Sequence, residues 1–246
     1  MPPHIITAYS TKGGVGKTTS AVNLAVLAAE EGNRVLLWDL DPQAAATWLL
    51  GVKQKLRGGA EAVILGEKSL ERATRPTAVR NLEVLPADLS YRDLDVALDG
   101  HKRSSARLGR ALEPLRDVYD VVILDTPPGV SLVAENAVRA SDVVVTPLAP
   151  ALLSLRSYDQ VRAFIATQKT DARLVAFLNQ VDRRKRSHRD AATELPARIE
   201  GMSDIVVPAS VVVERMAERR AALQQFAPRS EAGRAFAALW HTVSRG

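Results

Sequence analysis

The chain has 246 residues, of which 46% are hydrophobic and 25% charged, as is typical of a globular domain with a sizeable core. It contains no cysteine, which excludes a disulfide framework, a thiolate zinc site and a cysteine-ligated iron–sulfur cluster. The formal net charge of +5 favours an anionic partner such as DNA.

No apolar segment approaches the roughly 20 residues that a membrane-spanning helix needs. Residues 1–6 lack the basic and apolar regions of a signal peptide. The cytoplasm is therefore the expected compartment. Because the chain shows no repeat, low-complexity linker or break in composition, we predict one domain over residues 1–246.

Short apolar runs alternate with amphipathic segments, a pattern typical of α/β proteins in which helices cover both faces of a mostly parallel, twisted sheet. Nearly continuous runs of Val, Ile and Leu indicate strands buried on both faces. The predicted strands are 5–9, 35–40, 82–86, 121–125, 143–147, 174–179 and 205–207. The predicted helices are 17–31, ended by Gly32, then 104–115, 156–167 and 230–244. For residues 51–77 we favour two short helices.

A glycine-rich turn joins the first predicted strand to the first predicted helix. We call it the phosphate loop; it reads Lys12-Gly13-Gly14-Val15-Gly16-Lys17-Thr18-Thr19. The glycines let backbone N–H groups face phosphate oxygens, and the positive end of the helix dipole adds to the same place. In such a P-loop the lysine at the helix start reaches the β- and γ-phosphates, and the next hydroxyl ligates magnesium. The pattern therefore predicts a P-loop nucleotide site, with Lys17 catalytic and Thr18 a metal ligand.

P-loops usually carry glycine at the position of Thr11, whereas here a second lysine, Lys12, follows it. In this form the loop resembles the deviant Walker A motif of the ParA/MinD family of ATPases, and the resemblance extends over nearly the whole chain. It implies ATP and Mg²⁺ as cofactors and a homodimer that closes face to face around two ATP molecules. It also implies that Lys12 contacts the partner's phosphates, where an added cation can contribute about 10³–10⁵ in rate.

Two carboxylates, Asp39 and Asp41, follow the second predicted strand, at the carboxyl end where open α/β sheets bind ligands. With Pro42 and Gln43 they resemble the first switch segment of the same family. That resemblance implies that Asp41 positions the attacking water and that Asp39 supports the magnesium shell. The alternative is that one of them only caps a helix that starts near Ala44, because Asp is a preferred N-cap residue.

A run of four apolar residues ends at Asp125 and matches a Walker B motif, whose aspartate holds magnesium, usually through water. Residues 126–128 resemble the family's second switch segment, which senses the γ-phosphate. Without the phosphate loop, this Asp-Thr-Pro sequence could be an ordinary turn. Together with the loop, it favours a magnesium site.

The resemblance also covers the far end of the predicted pocket. Asn179 aligns with the family asparagine that hydrogen-bonds adenine, and Val207 and Pro208 align with the segment that lies against the base. An asparagine at a strand end is also a frequent turn former, and this alternative stays open.

Basic residues concentrate in two groups. ParA-type proteins bind DNA without sequence preference through surface lysines and arginines, in contacts that weaken steeply with salt. The alternative is a solvated loop of mixed charge. Relatives often carry arginine soon after the position of Pro208, where this chain has Ala209, so the footprint stays open. The first basic group is Arg183, Arg184, Lys185, Arg186 and Arg189, and the second basic group is Arg215, Arg219 and Arg220.

The favoured function is a ParA-type ATPase, associated with the nucleoid, that positions or segregates a plasmid, a chromosome or a protein assembly. A ParB-like or cargo-adaptor protein would stimulate its hydrolysis of ATP. One alternative is a MinD-like membrane-associated ATPase, although the apolar stripe near the C-terminus is expected to dock on the protein body. Another is a metabolic P-loop enzyme such as dethiobiotin synthetase or a cobyrinate amidase.

Overall fold

The structure is a computed structural model that describes residues 2–56, 58–99, 106–151, 153–199 and 201–245. Its strands are β1 (His4–Ala8), β2 (Val35–Asp39), β3 (Arg75–Pro76), β4 (Leu82–Leu85), β5 (Val121–Asp125), β6 (Val143–Leu148), β7 (Arg173–Val181) and β8 (Met202–Pro208). Its helices are α1 (Lys17–Glu30), α2 (Ala45–Leu49), α3 (Gly59–Ile64), α4 (Leu70–Ala73), α5 (Leu94–Asp99), α6 (Arg107–Leu112), α7 (Leu132–Ala140), α8 (Leu153–Thr167), α9 (Arg186–Arg198), α10 (Val211–Arg219), α11 (Leu223–Phe226) and α12 (Glu231–Val243). Two 3₁₀ helices cover Leu89–Asp93 and Glu113–Leu115.

The strands form one sheet in the order β3-β4-β2-β5-β1-β6-β7-β8. Every neighbouring pair is parallel except β3 and β4, which are antiparallel. This arrangement confirms the predicted α/β fold class with a mostly parallel sheet.

Strand β2 shows why the central strands are apolar throughout. Successive side chains of a strand point to opposite faces of the sheet. Val35 and Leu37 join the core beneath α1 and α12, whereas Leu36 and Trp38 join the core beneath α3 to α7. Trp38 is fully buried and donates its indole N–H to the hydroxyl of Tyr91 over 2.9 Å. Both faces of the strand are therefore filled.

All seven predicted strands are present, with their ends moved by a few residues, and β3 adds a short antiparallel edge. Gly32 follows the end of α1 with φ +94°, as its predicted role as a helix stop requires. Residues 51–77 contain the two short helices α3 and α4. The predicted helix 104–115 is observed from Arg107 onward; residues 104 and 105 lie outside the described residues.

Helices α5, α7, α9 and α10 were not predicted. The mean hydropathy of α9 and α10 is low, and each has only one buried residue, Leu195 and Met216. The alternative of a solvated loop of mixed charge is corrected in its backbone alone: the loop is a short turn, and α9 begins at Arg186.

The apolar stripe of α12 docks on the sheet as expected, since Phe236, Leu239, Trp240 and Val243 are all buried. Helix α12 packs against both β8 and α1. Across the described ranges, no helix combines the length and the apolar character needed to cross a bilayer.

His4 fastens the end of α12 to the first strand. Its Nε2 lies 2.8 Å from the carbonyl oxygen of Val243, and its Nδ1 lies 3.6 Å from a carboxylate oxygen of Asp142. The hydrogen bond with Asp142 raises the pKa of His4 above 6.5, against burial and the charge of Arg173. A raised pKa in the folded state stabilises the protein below the unfolded-state pKa, and this contribution is lost as pH rises through the folded-state pKa.

Between roughly pH 5.5 and pH 8 we therefore expect the unfolding free energy of the wild type to fall by about 0.5–1 kcal/mol through His4. A His4→Gln variant should not show this fall. Urea unfolding of both proteins at the two pH values measures this difference. Equal pH dependence of the two proteins would show that His4 does not act through its charge.

Candidate functional site

The strand order brings the predicted motifs to one edge of the sheet. Strand β5 lies between β1 and β2, and its last residue, Asp125, pairs in register with Ala8 on one side and Asp39 on the other. Because these strands are parallel, their carboxyl ends share an edge. The phosphate loop, Asp125 and the aspartate segment, which we define as residues 39–43, therefore meet there.

The phosphate loop has the backbone that its glycines allow. Gly14 and Gly16 have φ values of +72° and +100°, in the left-handed region that side chains rarely adopt. A Cβ on Gly16 would lie 2.1 Å from Nδ2 of Asn179, so any other residue there would clash. Helix α1 starts directly after Gly16 with no side-chain cap and no acidic residue in its first turn. The positive end of the helix dipole is therefore available to bind an anion.

Two amides at the end of β7 hold the phosphate loop in place. Asn179 donates its Nδ2 to the carbonyl of Val15 over 2.7 Å, and Gln180 donates its Nε2 to the carbonyl of Gly14 over 2.8 Å. Sequence reasoning missed Gln180, although a second amide beside Asn179 at a strand end was a signal. The contact of Asn179 with adenine stays a prediction, as do those of Val207 and Pro208, which end the neighbouring strand β8.

The two lysines of the loop lie in different surroundings. Lys17 is 6% exposed, and its ammonium donates to the carbonyl of Lys12 over 3.2 Å. Burial lowers the pKa of Lys17, while the charges of Asp125 and Asp41 act in the opposite direction. Lys12 is exposed, and its ammonium lies 3.4 Å from the carbonyl of Leu153, away from the loop. Lys17 thus faces the site, and Lys12 reaches outward from it.

Asp125 is fully buried, and neither of its carboxylate oxygens accepts a hydrogen bond of ordinary geometry. Burial, and then the charge of Asp39, raise the pKa of Asp125 well above its usual range; the hydroxyl of Thr18 and the charge of Lys17 act against this. A buried carboxylate without partners is costly unless a cation or a proton meets it. A carboxylate beside a threonine hydroxyl is the oxygen donor set that Mg²⁺ takes in nucleotide sites.

The described residues contain no cluster of three or more His, Cys, Asp or Glu side chains that could hold a metal alone. Proteins bind Mg²⁺ in nucleotide sites through one or two carboxylates together with substrate phosphates. The residues present therefore fit a magnesium ion held by Asp125 and Thr18 on one side and by phosphates on the other.

Asp39 differs from Asp125 because its oxygens are already satisfied. One oxygen accepts the backbone N–H and the hydroxyl of Thr47, over 2.8 and 2.7 Å, and the other accepts the N–H of Asp41 over 3.2 Å. Burial raises the pKa of Asp39 to about 6, against these hydrogen bonds. Thr47 lies in the first turn of α2, so Asp39 caps that helix, as the alternative interpretation held. That Asp39 supports the magnesium shell stays a prediction, and it would do so indirectly, by holding the aspartate segment in place.

Asp41 is half-buried beside the phosphate loop. One of its oxygens accepts the N–H of Gln43 over 2.9 Å, and its carbonyl accepts the N–H of Ala44 over 2.8 Å, so that it shapes the turn into α2. Thr126 ties the second switch segment to β1, donating its hydroxyl to the carbonyl of Ala8 over 2.8 Å. Both candidate switch segments are thus anchored within the site.

The two basic groups differ in how their charges are compensated. In the first group, Arg183 pairs with Glu231, Arg184 with Asp182 over 2.9 Å, and Arg186 with Asp190 over 3.7 Å, while Arg189 donates to the carbonyl of Arg183 over 2.7 Å. In the second group, the guanidinium carbons of Arg219 and Arg220 lie 5.0 and 5.1 Å from the ring centres of Phe226 and Trp48. Three of the five cations of the first group therefore have a carboxylate partner, whereas Arg219 and Arg220 have none among the described residues.

A glycine-rich loop between a buried strand and a helix, with a buried aspartate on the adjacent strand, defines a P-loop nucleotide-binding protein. The family model described as AAA domain matches residues 3–176. A chromosome partitioning protein ParA of Caulobacter vibrioides is 32% identical over 223 residues, which are 86% of this chain and 83% of that protein. The chain belongs to the ParA/MinD-type family of P-loop ATPases, which confirms the resemblance of the motifs.

Two further comparisons bear on function. A chromosome partitioning protein ParA of Myxococcus xanthus is 38% identical over 158 residues, which are 64% of this chain but only 56% of that protein. A solved structure of cobyrinic acid a,c-diamide synthase from Mycobacterium smegmatis, with bound ATP analog and magnesium, has a TM-score of 0.84 and 27% identity. That likeness covers 99% of this chain and 95% of the other.

Proposed function

We propose that this chain, acting as one domain, is a ParA-type positioning ATPase. It binds ATP with Mg²⁺ at the phosphate loop, closes as a homodimer, binds DNA without sequence preference and is released by hydrolysis that a ParB-like or cargo-adaptor partner stimulates. The observation that carries the proposal is the buried, unpartnered Asp125 opposite Lys17 at the carboxyl edge of the sheet. The ParA names of two relatives support the positioning role and an association with the nucleoid.

Each group of residues at the site has a separate role in binding and hydrolysing ATP. Asp125 and Thr18 would hold Mg²⁺, which would supply positive charge against the phosphates. The phosphate-loop amides cradle the phosphates, and the ammonium of Lys17 exchanges the carbonyl of Lys12 for phosphate oxygens. Asp41 orients the attacking water from the turn that it shapes. Catalysis of this kind is positioning together with electrostatic stabilisation.

Lys12 completes the site of a second subunit. Its side chain is exposed and directed away from its own loop toward Leu153, so it is placed to contact phosphates across an interface rather than its own. Leu153, at the start of α8, and Val130, in the loop between β5 and α7, are also 66% and 67% exposed. An apolar rim around an outward-facing lysine suits a partner of the same kind.

A second candidate function is a metabolic P-loop enzyme, favoured by the 27% identity to a cobyrinic acid diamide synthase over nearly the whole chain. Such an enzyme would use the same phosphate loop with a small-molecule acceptor. The two candidates differ in the partner of the nucleotide-bound state, which is DNA and a second copy in one case and a corrinoid acid in the other.

Electrophoretic retention of a duplex DNA, measured with ATP, ADP and no nucleotide, separates them. The positioning ATPase retains DNA only with ATP, and light scattering then finds a dimer. A protein that retains no DNA in any state, and whose phosphate release rises on adding cobyrinic acid and an amide donor, would be the enzyme instead.

A further inference from the structure

The two basic groups differ as candidate DNA contacts because their cations are paired with carboxylates to different extents. Arg183, Arg184 and Arg186 each have a carboxylate partner. A phosphate at these residues must compete with a carboxylate already in place. Counterion release, which drives non-specific DNA binding, needs cations whose charge is not already neutralised. Arg183, Arg184 and Arg186 are therefore less available to DNA than cations without a carboxylate partner.

The end of α10 presents the opposite situation. Arg219 and Arg220 lie over aromatic rings, and neither has an acidic partner among the described residues. Arg220 also donates Nε to the carbonyl of Trp48 over 2.9 Å. A guanidinium held over an aromatic face keeps its charge and some of its N–H donors for phosphate, at a small further cost in entropy.

Trp48 continues this surface into the connection between α2 and α3. The N–H of Gly51 donates to the carbonyl of Trp48 over 3.0 Å, so the connection turns back beside Arg220. Lys53, Lys55 and Arg75 then line a cleft of about 470 Å³ together with Gly51, Val52 and Pro76. No carboxylate lines this cleft, and in the part of the chain that the structure describes none of these three cations forms an ion pair. Nη1 of Arg75 donates to the backbone carbonyls of residues 72–74, which leaves its charge without a carboxylate.

We propose that Lys53, Lys55 and Arg75, with Arg219 and Arg220, form a continuous cationic strip that binds the phosphate backbone of duplex DNA, in place of the first basic group. This assignment rests on the proposed function. It adds three residues that lie far from the two basic groups in the chain and that sequence reasoning did not consider. Uncompensated cations that flank an open cleft fit a polyanionic backbone, which makes no demand on base sequence.

Hydrogen bonds connect the strip to the nucleotide site. Gln54, between the two lysines, donates its Nε2 to the carbonyl of Ala44 over 3.1 Å, and Ala44 donates its N–H to the carbonyl of Asp41. Val52 donates its N–H to the carbonyl of Thr47, which binds Asp39. If the aspartate segment shifts when nucleotide binds, Lys53 and Lys55 would therefore move with it. DNA binding by this strip could depend on ATP through that movement.

A matched pair of double variants tests the assignment. Lys53→Gln with Lys55→Gln and Arg184→Gln with Arg186→Gln each remove two positive charges from exposed positions. DNA affinity with ATP is measured for both variants and for the wild type across a range of salt concentrations. Each lost phosphate contact lowers the slope of log affinity against log salt by about 1. We expect the lysine pair to lower the slope by about 2 and the arginine pair to leave it near that of the wild type.

The result that overturns the assignment is the reverse pattern, or equal slopes for all three proteins while the wild type retains DNA. A wild type that retains no DNA with ATP would instead contradict the proposed function itself. ATP affinity, measured by calorimetry on each variant, separates a loss of DNA contacts from a loss of the folded nucleotide site.

Discussion

A Lys17→Ala variant is expected to lose ATP binding and at least about 10²–10³ of turnover, the cost of removing one preorganised electrostatic group from an active site. Lys17 is buried at the start of α1, and its ammonium already lies against the phosphate loop, 3.2 Å from the carbonyl of Lys12. No other described ammonium or guanidinium is buried at this edge of the sheet. Calorimetric titration with Mg-ATP and a phosphate-release assay measure the two losses.

Lys12→Ala is the matched control, because it removes an exposed ammonium from the same loop. We expect it to bind ATP with nearly unchanged affinity but to lose turnover and ATP-dependent dimerisation, since Lys12 is proposed to act on the partner's nucleotide. An unchanged ATP affinity of Lys17→Ala would refute the phosphate site. Normal turnover of Lys12→Ala would refute the action across the interface.

An Asp125→Asn variant is expected to be more stable than the wild type without nucleotide and less stable with it. Without ligands, Asp125 is a buried carboxylate with no hydrogen-bond partner, and leaving such a group unsatisfied costs about 1–3 kcal/mol or more. A neutral amide reduces this cost. With Mg-ATP, however, the wild type gains about 2.7 kcal/mol at a ligand concentration of 100 times Kd, and the variant loses this gain with its metal ligand.

Thermal unfolding in EDTA and in excess Mg-ATP measures both effects on the same protein. Asp39→Asn is the control, since Asp39 pairs with Asp125 in register but has its oxygens filled by Thr47 and Asp41. That variant should be destabilised in both conditions, because an amide nitrogen cannot accept the bonds that it replaces. If Asp125→Asn were less stable than the wild type in EDTA, the carboxylate would have a partner within the protein.

The amino-acid sequence by itself determined the parts of this protein that are local in the chain. The phosphate loop is recognisable because glycines, lysine and a helix start must follow one another within 12–19 for backbone amides to face phosphate. The apolar runs of β2 and β5 are recognisable because strands buried on both faces need apolar residues at every position. Helices α9 and α10, which have one buried residue each, were not predicted.

Only the tertiary structure decided which of these parts meet. Asp39 and Asp125 are similar strand-end aspartates that pair in register, but the chain after β2 folds back to give Asp39 three donors, whereas the oxygens of Asp125 have none. The densest basic run was the natural candidate for DNA, yet folding brings the distant Glu231 to Arg183, while Arg184 and Arg186 pair with Asp182 and Asp190 close by in the chain. It also places Arg220 on Trp48, 172 residues away in the chain. Partners distant in the chain are set by strand order and packing, which local patterns do not encode.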